Sequence, residues 1–258
     1  MKKLSVIKIG GNIIEDENAL SQFLKLFADL EGPKILVHGG GKRATHIAAK
    51  LGVSSKMVNG RRITDADSLD VITMVYGGLV NKNIVARLQA LQVNAIGLSG
   101  ADANSISSNK RPVAEVDFGF VGDVREVNHD AVDLLIRSGF TPVFCAITHD
   151  GKGQLLNTNA DTIASQIAVG MSEIYETSIY YCFELDGVLS DINNPNSVIK
   201  HIDKMLYAQL LDQGIITDGM LPKLENCFDA LHKGVKSIHM GNTAMLSKEN
   251  NNFTIITL

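Results

Sequence analysis

Two short apolar runs each end in a cluster of glycines, and a segment of helical spacing follows each cluster. Residues 4–7 lead through Lys8 and Ile9 into Gly10, Gly11 and Asn12, and residues 34–37 lead into His38-Gly39-Gly40-Gly41-Lys42. Between them Ala19, Leu20, Phe23, Leu24, Phe27 and Leu30 recur at the period of a helix. Asp16 and Glu17 favour its N-terminal end, and Gly32-Pro33 stops it. Residues 45–51 read as a second helix, closed by Gly52. Strand, glycine turn and helix thus occur twice within about fifty residues, which is the pattern of βαβ units on a parallel sheet.

Each glycine turn lies at the C-terminal end of its strand, where open α/β sheets bind ligands. Paired glycines let backbone N–H groups approach a ligand closely, and convergent N–H groups bind phosphate oxygens. Three glycines ahead of a helix N-terminus make the second turn a natural anion site. Lys8 stands on the strand just before the first turn, within reach of the same anion. Neither turn follows a standard nucleotide motif: no G-x-G-x-x-G is present, and Arg43 follows Gly41-Lys42 where a P-loop carries Ser or Thr. A phosphate bound here is bound by a different design.

Downstream, residues 58–64 read VNGRRIT, a turn at Asn59-Gly60 carrying two arginines. Thr64 and Asp67 read as a helix-capping pair, followed by a periodic segment to Leu91 that Gly77-Gly78 softens. An arginine held before a helix suits a bidentate grip on a carboxylate; of Arg61 and Arg62, one is expected to serve a site and the other solvent. Residues 95–100 form a third strand, and residues 107–127 change to short β segments, which predict a β-hairpin excursion. Asn128 caps a helix through Arg137 that Gly139 ends, and residues 141–147 read as a central strand. Residues 154–161, QLLNTNAD, open a helix running to Val169. One cap is needed there, and Asn157, Asn159 and Asp161 all offer one, so some of them are expected to serve a ligand or another side chain.

A strand over residues 178–182 precedes a turn at 183–189, and a helix over 203–213 ends at Gly214. Residues 215–223 then read IITDGMLPK, in which Gly219 and Pro222 frame a helix start. Lys223 falls in the first turn of that helix, where a cation opposes the dipole and an anion beside it would relieve the conflict. Residues 237–240 and 253–257 close the chain as strands.

Composition narrows the classes of function. A net charge of −4, with basic residues scattered, argues against a nucleic-acid partner. With 45% hydrophobic residues, 258 residues suffice for one large α/β domain or two packed lobes. Cys145, Cys182 and Cys227 are odd in number and widely spaced, so they are expected to be small buried side chains rather than disulfides or zinc ligands. Lys8 and the glycines interrupt the first apolar run before it could form a signal sequence, and no stretch has the length of a membrane span. A cytoplasmic location is the expectation.

Taken together and in order, KIGGN, HGGGK, NGRRIT, NTNAD and ITDGMLPKLEN resemble the amino acid kinase family, within it the branch acting on acylated glutamate. The likeness covers nearly the whole chain. It implies a three-layer αβα sandwich on a mainly parallel sheet, with residues 1–175 as an N-terminal lobe for the acyl amino acid and dimerisation and 176–258 as an ATP lobe. Carried over motif by motif, Lys8 and Lys223 resemble the lysines that stabilise the transferring phosphoryl group, and Asp161 the carboxylate that orients them. Gly10, Gly11 and Gly40 resemble backbone donors to phosphate and acceptor, and Gly40, Gly41, Arg62 and Asn157 the acyl-glutamate site. Glu184, Leu185, Asp186, Gly187, Val188 and Leu189, with Ile215, Ile216 and Thr217, resemble the segments around adenine and ribose. Phe183-Glu184 departs from the family's usual Thr/Ser-Asp pair.

The resemblance implies ATP as co-substrate, with Mg²⁺ held mainly by its phosphates rather than by a protein cage, and an N-acyl-L-glutamate, acetyl or succinyl, as acceptor. The chain opens directly on the first strand, which implies a homodimer with weak or no arginine feedback. A carboxylate acceptor is already ionised at neutral pH and needs no general base, so His38 is expected to be structural. Sibling activities on glutamate, carbamate or uridylate, and a non-catalytic regulator, are the alternatives. NGRRIT and NTNAD argue against the siblings, and the joint retention of Lys8, Asp161 and Lys223 against the regulator.

Overall fold

Leu4, Val6, Ile7 and Ile9 are all buried in the Lys2–Ile9 strand, so both of its faces are covered. That continuous burial is what a parallel sheet between two helix layers demands. The computed structural model describes residues 1–58, 60–216 and 220–258. Asn59, Thr217 and Gly219, each read above as a turn, site or framing residue, lie outside the described residues.

The main sheet has eight strands in the order His201–Ile202, Thr254–Ile256, Ser237–Gly241, Tyr175–Cys182, Lys2–Ile9, Lys34–His38, Thr141–Cys145 and Ala95–Leu98. All neighbours run parallel except Thr254–Ile256 against Ser237–Gly241. The Lys2–Ile9 strand is flanked on one side by Lys34–His38 and on the other by Tyr175–Cys182, so the C-terminal ends of strands from both halves of the chain stand side by side. Such a point, where successive connections diverge, is where an open α/β sheet binds its ligand. The Ala160–Met171 helix packs on these strands and against the His129–Arg137 and Leu221–His232 helices. Glu17–Asp29 packs with Asn81–Ala90 and the Thr243–Leu246 turn. The expected αβα sandwich is present.

The predicted excursion is larger than a hairpin. Ile106–Lys110 and Gly122–Val127 pair antiparallel and are joined by Ile147–His149 and Leu155–Asn157 into a four-stranded sheet. This changes two sequence expectations. Residues 141–147 are not one central strand: Thr141–Cys145 lies one place from the sheet edge, and the chain then crosses to the second sheet at Ile147. Residues 155–157 do not open a helix either, because they are taken by pairing with Ile147–His149, and the helix begins at Ala160.

Helix ends follow local chemistry with one correction. Asp16, Asn128, Asn159 and Asp203 cap as their positions suggest, each accepting from backbone N–H groups one turn on. Thr64 does not cap: Asp65 does, accepting from the Ser68 amide, and Thr64 is fully buried with its hydroxyl on Asn157. Asp65 wins because it directly precedes the first helical residue, so its short carboxylate reaches the orphan amide. Beyond it, Ala66–Ile72 continues into π-helical Thr73–Val80 and then Asn81–Ala90. The two glycines that soften the pattern lie inside the π-helical segment. Lys34 adds an unforeseen cap: its buried ammonium donates to the carbonyls of Phe27, Ala28 and Leu30 at 2.7, 2.8 and 2.7 Å, closing the preceding helix.

Candidate active site

Lys8 is the penultimate residue of its strand, and its ammonium lies 2.7 Å from Oδ1 of Asp161. Asp161 sits in the first turn of the Ala160–Met171 helix, where the dipole favours a carboxylate. The three candidates of NTNAD divide their work. Asn159 caps the helix, Asn157 donates its amide to Thr64 Oγ1 at 3.0 Å, and Asp161 pairs with Lys8. Tyr181 fixes the same helix start, its hydroxyl 3.3 Å from the Asp161 main-chain oxygen.

These residues form one wall of a cavity of about 620 Å³. Gly39, Gly40, Gly41, Arg62 and Tyr76 form another part of its lining, Arg61, Arg111, Phe118 and Val121 a third, and Lys223 a fourth. Of the candidates read from sequence, Lys8, Gly40, Gly41, Arg62, Asn157, Asp161 and Lys223 therefore meet around a single space. That volume is in the range of a small-molecule site.

Arg62 is the buried member of the arginine pair, 9% exposed, whereas Arg61 is exposed although it too faces the cavity. The Arg62 fork is held from behind: Nη1 donates to Ser55 Oγ at 2.6 Å, and Nη2 to Thr45 Oγ1 at 2.7 Å and the Gly41 carbonyl at 3.0 Å. No carboxylate pairs with it among the described residues. A buried guanidinium fixed only by neutral partners keeps its charge for an anionic ligand.

Sequence reasoning missed Tyr76. It comes from the π-helical segment, is 6% exposed, and lies so close to Gly40 that a Cβ there would meet its ring at 3.0 Å. Burial pushes the Tyr76 phenol upward in pKa, and the Arg62 charge opposes that shift. A π-helical turn often marks a functional position, and the Gly77-Gly78 pair was its only trace in the sequence. Ser55 and Thr45 were also missed, because only the folded chain brings them behind Arg62.

The other candidates among the described residues lie outside the cavity lining. Gly10 and Gly11 stand at the end of the first strand, where the Lys42 side chain passes 3.7 Å from a Cβ built at Gly11. Lys42 donates to the Asn12 amide oxygen, and the Asn12 amide nitrogen donates to Glu184. Asp186 accepts from Asn242 and from Asn252, the latter at 2.7 Å. Gly187, Val188 and Leu189 are packed against Thr254 and Val198, with the Val188 amide on Thr254 Oγ1 at 2.8 Å. Leu185 and Ile215 are not among the lining residues, and Ile216 is buried. Cys182 and Cys227 do line the cavity, but burial pushes both thiols up to about 12, which removes them as nucleophiles. All three cysteines are buried and unbridged, as expected.

The site is thus a space lined by several cations and little negative charge, suited to an anionic small molecule. Among the described residues no helix is long and apolar enough to cross a membrane. Comparison with known proteins places this geometry. The chain is 58% identical to acetylglutamate kinase of Parabacteroides distasonis, over 92% of this chain and 93% of that protein. It is 57% identical to acetylglutamate kinase of Phocaeicola vulgatus, over 92% of each. Among solved structures, carbamate kinase from Giardia lamblia bound to AMP-PNP superposes with a TM-score of 0.73 at 13% identity, over 99% of this chain and 98% of that one, a likeness of fold alone. The sequence model of the amino acid kinase family matches residues 3–242. With its sandwich, its cationic cavity and a match of that extent, this chain belongs to the amino acid kinase family.

Proposed function

We propose that this chain catalyses ATP-dependent phosphorylation of the γ-carboxylate of N-acetyl-L-glutamate, giving the acyl phosphate and ADP, as a step of arginine biosynthesis. The observation that carries this reading is the pairing, in one cavity, of a buried uncompensated Arg62 with the Lys8–Asp161 pair and Lys223. An N-acylglutamate has two carboxylates. One is to be gripped and the other is to react, and the cavity offers a cationic group for each. The relatives that share more than half of its residues carry the name acetylglutamate kinase.

In this reading Arg62 holds the α-carboxylate while Asn157, Gly40 and Gly41 complete the acceptor site. A γ-carboxylate oxygen attacks the γ-phosphorus in line, the bond to the β,γ-bridging oxygen breaks, and the electron pair leaves on ADP. Such a step asks for positioning and charge neutralisation rather than covalent help from the protein. Lys8 and Lys223 neutralise the phosphoryl oxygens, and Asp161 orients Lys8, to which it is bonded. Gly10 and Gly11 add backbone donors at the phosphates. Glu184 to Leu189 and residues 215–217 surround adenine and ribose.

The lobe 1–175 binds the acyl amino acid and dimerises, and 176–258 binds ATP. No cluster of three acidic, histidine or cysteine side chains that could cage a metal occurs among the described residues. In this reading Mg²⁺ would arrive on the nucleotide, held chiefly by phosphate oxygens, and would supply positive charge that offsets the phosphates. The protein acts in the cytoplasm as a homodimer.

The test is a coupled ADP-release assay with N-acetyl-L-glutamate and N-succinyl-L-glutamate in parallel and free glutamate as control. Turnover with the acetyl compound well above the other two is the expected result. Preference for the succinyl compound would move the assignment to that acyl group. No turnover with any of the three would sink the kinase reading and leave the regulator.

A further inference from the structure

The imidazole of His38 is fully buried and no step above uses it. Its Nδ1 lies 2.7 Å from the carbonyl oxygen of Gly39, and its Nε2 lies 3.0 Å from Nδ2 of Asn81. A carbonyl oxygen can only accept, so Nδ1 carries the proton and Nε2 accepts from Asn81. The amide of Asn81 is oriented by the same logic. Its Nδ2 also lies 2.9 Å from the Val143 carbonyl, and its Oδ1 accepts from Lys82 Nζ at 3.3 Å. Two backbone carbonyls, one in the glycine turn and one on the neighbouring Thr141–Cys145 strand, therefore fix every donor between them. Room for this relay comes from Gly97, where a Cβ would fall 1.8 Å from Asn81 Oδ1.

What the relay holds is a peptide plane. The Gly39 carbonyl and the Gly40 N–H belong to one rigid unit and point in opposite directions. Pulling the carbonyl toward His38 therefore aims the Gly40 amide the other way. Between two glycines no side chain would oppose a flip of that plane. The turn's other carbonyls are also held: Gly40 O accepts from the Ala44 amide at 2.9 Å, and Gly41 O from Thr45 Oγ1 at 2.9 Å and Arg62 Nη2 at 3.0 Å. Gly39, Gly40 and Gly41 all line the cavity.

We propose that His38 is a positioning residue: its Nδ1–H, held in that tautomer by Asn81, locks the Gly39–Gly40 peptide and so aims the Gly40 amide at the bound acceptor. Burial lowers the His38 pKa to about 4, so the ring stays neutral and the lock does not open in the physiological range. The inference rests on the functional reading above insofar as it names the acceptor.

Three variants separate positioning from mere packing. In His38→Asn the Nδ2 group stands near the place of Nδ1 and can still donate to Gly39, while contact with Asn81 is lost. In His38→Gln the Oε1 atom can still accept from Asn81, but Gly39 receives nothing. His38→Ala loses both. Expected is a kcat loss of about tenfold or more in the Ala and Gln variants, with the Asn variant recovering most of it, since a small misdirection of a reacting group is costly. The melting temperatures of the Asn and Gln variants should fall alike. Equal losses of kcat in Asn and Gln, following their melting temperatures, would overturn the proposal. NMR of the ¹⁵N-labelled protein gives a readout free of activity. An Nδ1-protonated neutral His38, and a Gly40 amide shifted in the Gln but not the Asn variant, are expected. An Nε2-protonated ring would overturn the proposal. If the wild type turns over no acylated glutamate, the functional reading fails, and these NMR signals still decide the lock.

Discussion

The two glycine turns share one local grammar and end in different surroundings. Both follow a buried parallel strand, and both start a helix at their second or third glycine. The turn after Lys34–His38 forms cavity wall, with its carbonyls held by His38, Ala44, Thr45 and Arg62 and with Tyr76 against Gly40. The turn after Lys2–Ile9 is crossed by the Lys42 stem and joined through Asn12 to Glu184. Only its preceding lysine, Lys8, reaches the cavity. A glycine cluster thus supplies a backbone able to approach a ligand, and the neighbours determine which part of a ligand it can meet.

The largest effect expected is on the lysines. Lys8→Ala or Lys223→Ala should lower kcat by about 10²–10³-fold with little change in KM, if both act on transition-state charge. Steady-state kinetics on both substrates would read this, and a change confined to the KM for ATP would recast them as nucleotide anchors. Arg62→Ala should raise KM for the acyl amino acid by about 10–100-fold, the worth of a charge-assisted bidentate contact, with kcat less affected. An unchanged KM would remove Arg62 from the acceptor site.

The comparison of the two turns is sharpest in a matched pair. Gly40→Ala places its Cβ at 3.0 Å from the Tyr76 ring and should cost about tenfold in kcat/KM by displacing that wall. Gly11→Ala meets only the Lys42 stem at 3.7 Å, an ordinary contact, and should change kcat/KM by no more than about twofold. Alanine keeps the Gly11 backbone N–H as a phosphate donor, so equal losses would mean that the phosphates press on the Gly11 Cα as tightly as Tyr76 does on Gly40.

A separate effect, on stability rather than on rate, concerns pH. Burial lowers His38 and His239 to about 4, below the 6.5 of an exposed histidine. The unfolded chain therefore binds protons first, and stability falls as pH drops from 6.5 toward 4, being fully present above 6.5. Each histidine contributes a slope approaching 1.4 kcal/mol per pH unit, about, in that window. Urea unfolding at pH 7 and pH 5 should show it, and His38→Asn should remove one of the two contributions. An unaltered pH dependence in that variant would show that His38 is not neutral by burial.

Much of the layer architecture was legible because it depends on short-range pattern. The periodicity from Ala19 to Leu30, the acidic start at Asp16 and the cap at Asn128 act over one or two helical turns, and the helices formed where these cues stood. The misreadings have the opposite character. Thr64 looked like a cap and became a buried partner of Asn157, which lies 93 residues away. Residues 155–157 looked like a helix start and were drawn into a sheet by Ile147–His149. Tyr76 left only the Gly77-Gly78 pair beside it as a trace, and nothing near it in the chain hints that it will face Gly40.

The sequence by itself determined a parallel α/β sheet, glycine turns at the C-terminal ends of its strands, and a set of charged and polar residues of which some had to serve a site. Tertiary structure decided the division of labour among them: Asn159 as cap, Asp161 as partner of Lys8, Asn157 on Thr64, Arg62 buried and Arg61 exposed at the cavity. The physical reason is range. Backbone periodicity and capping are settled between residues a few positions apart, whereas the direction of a charged side chain is settled by partners on strands that only the sheet order brings together.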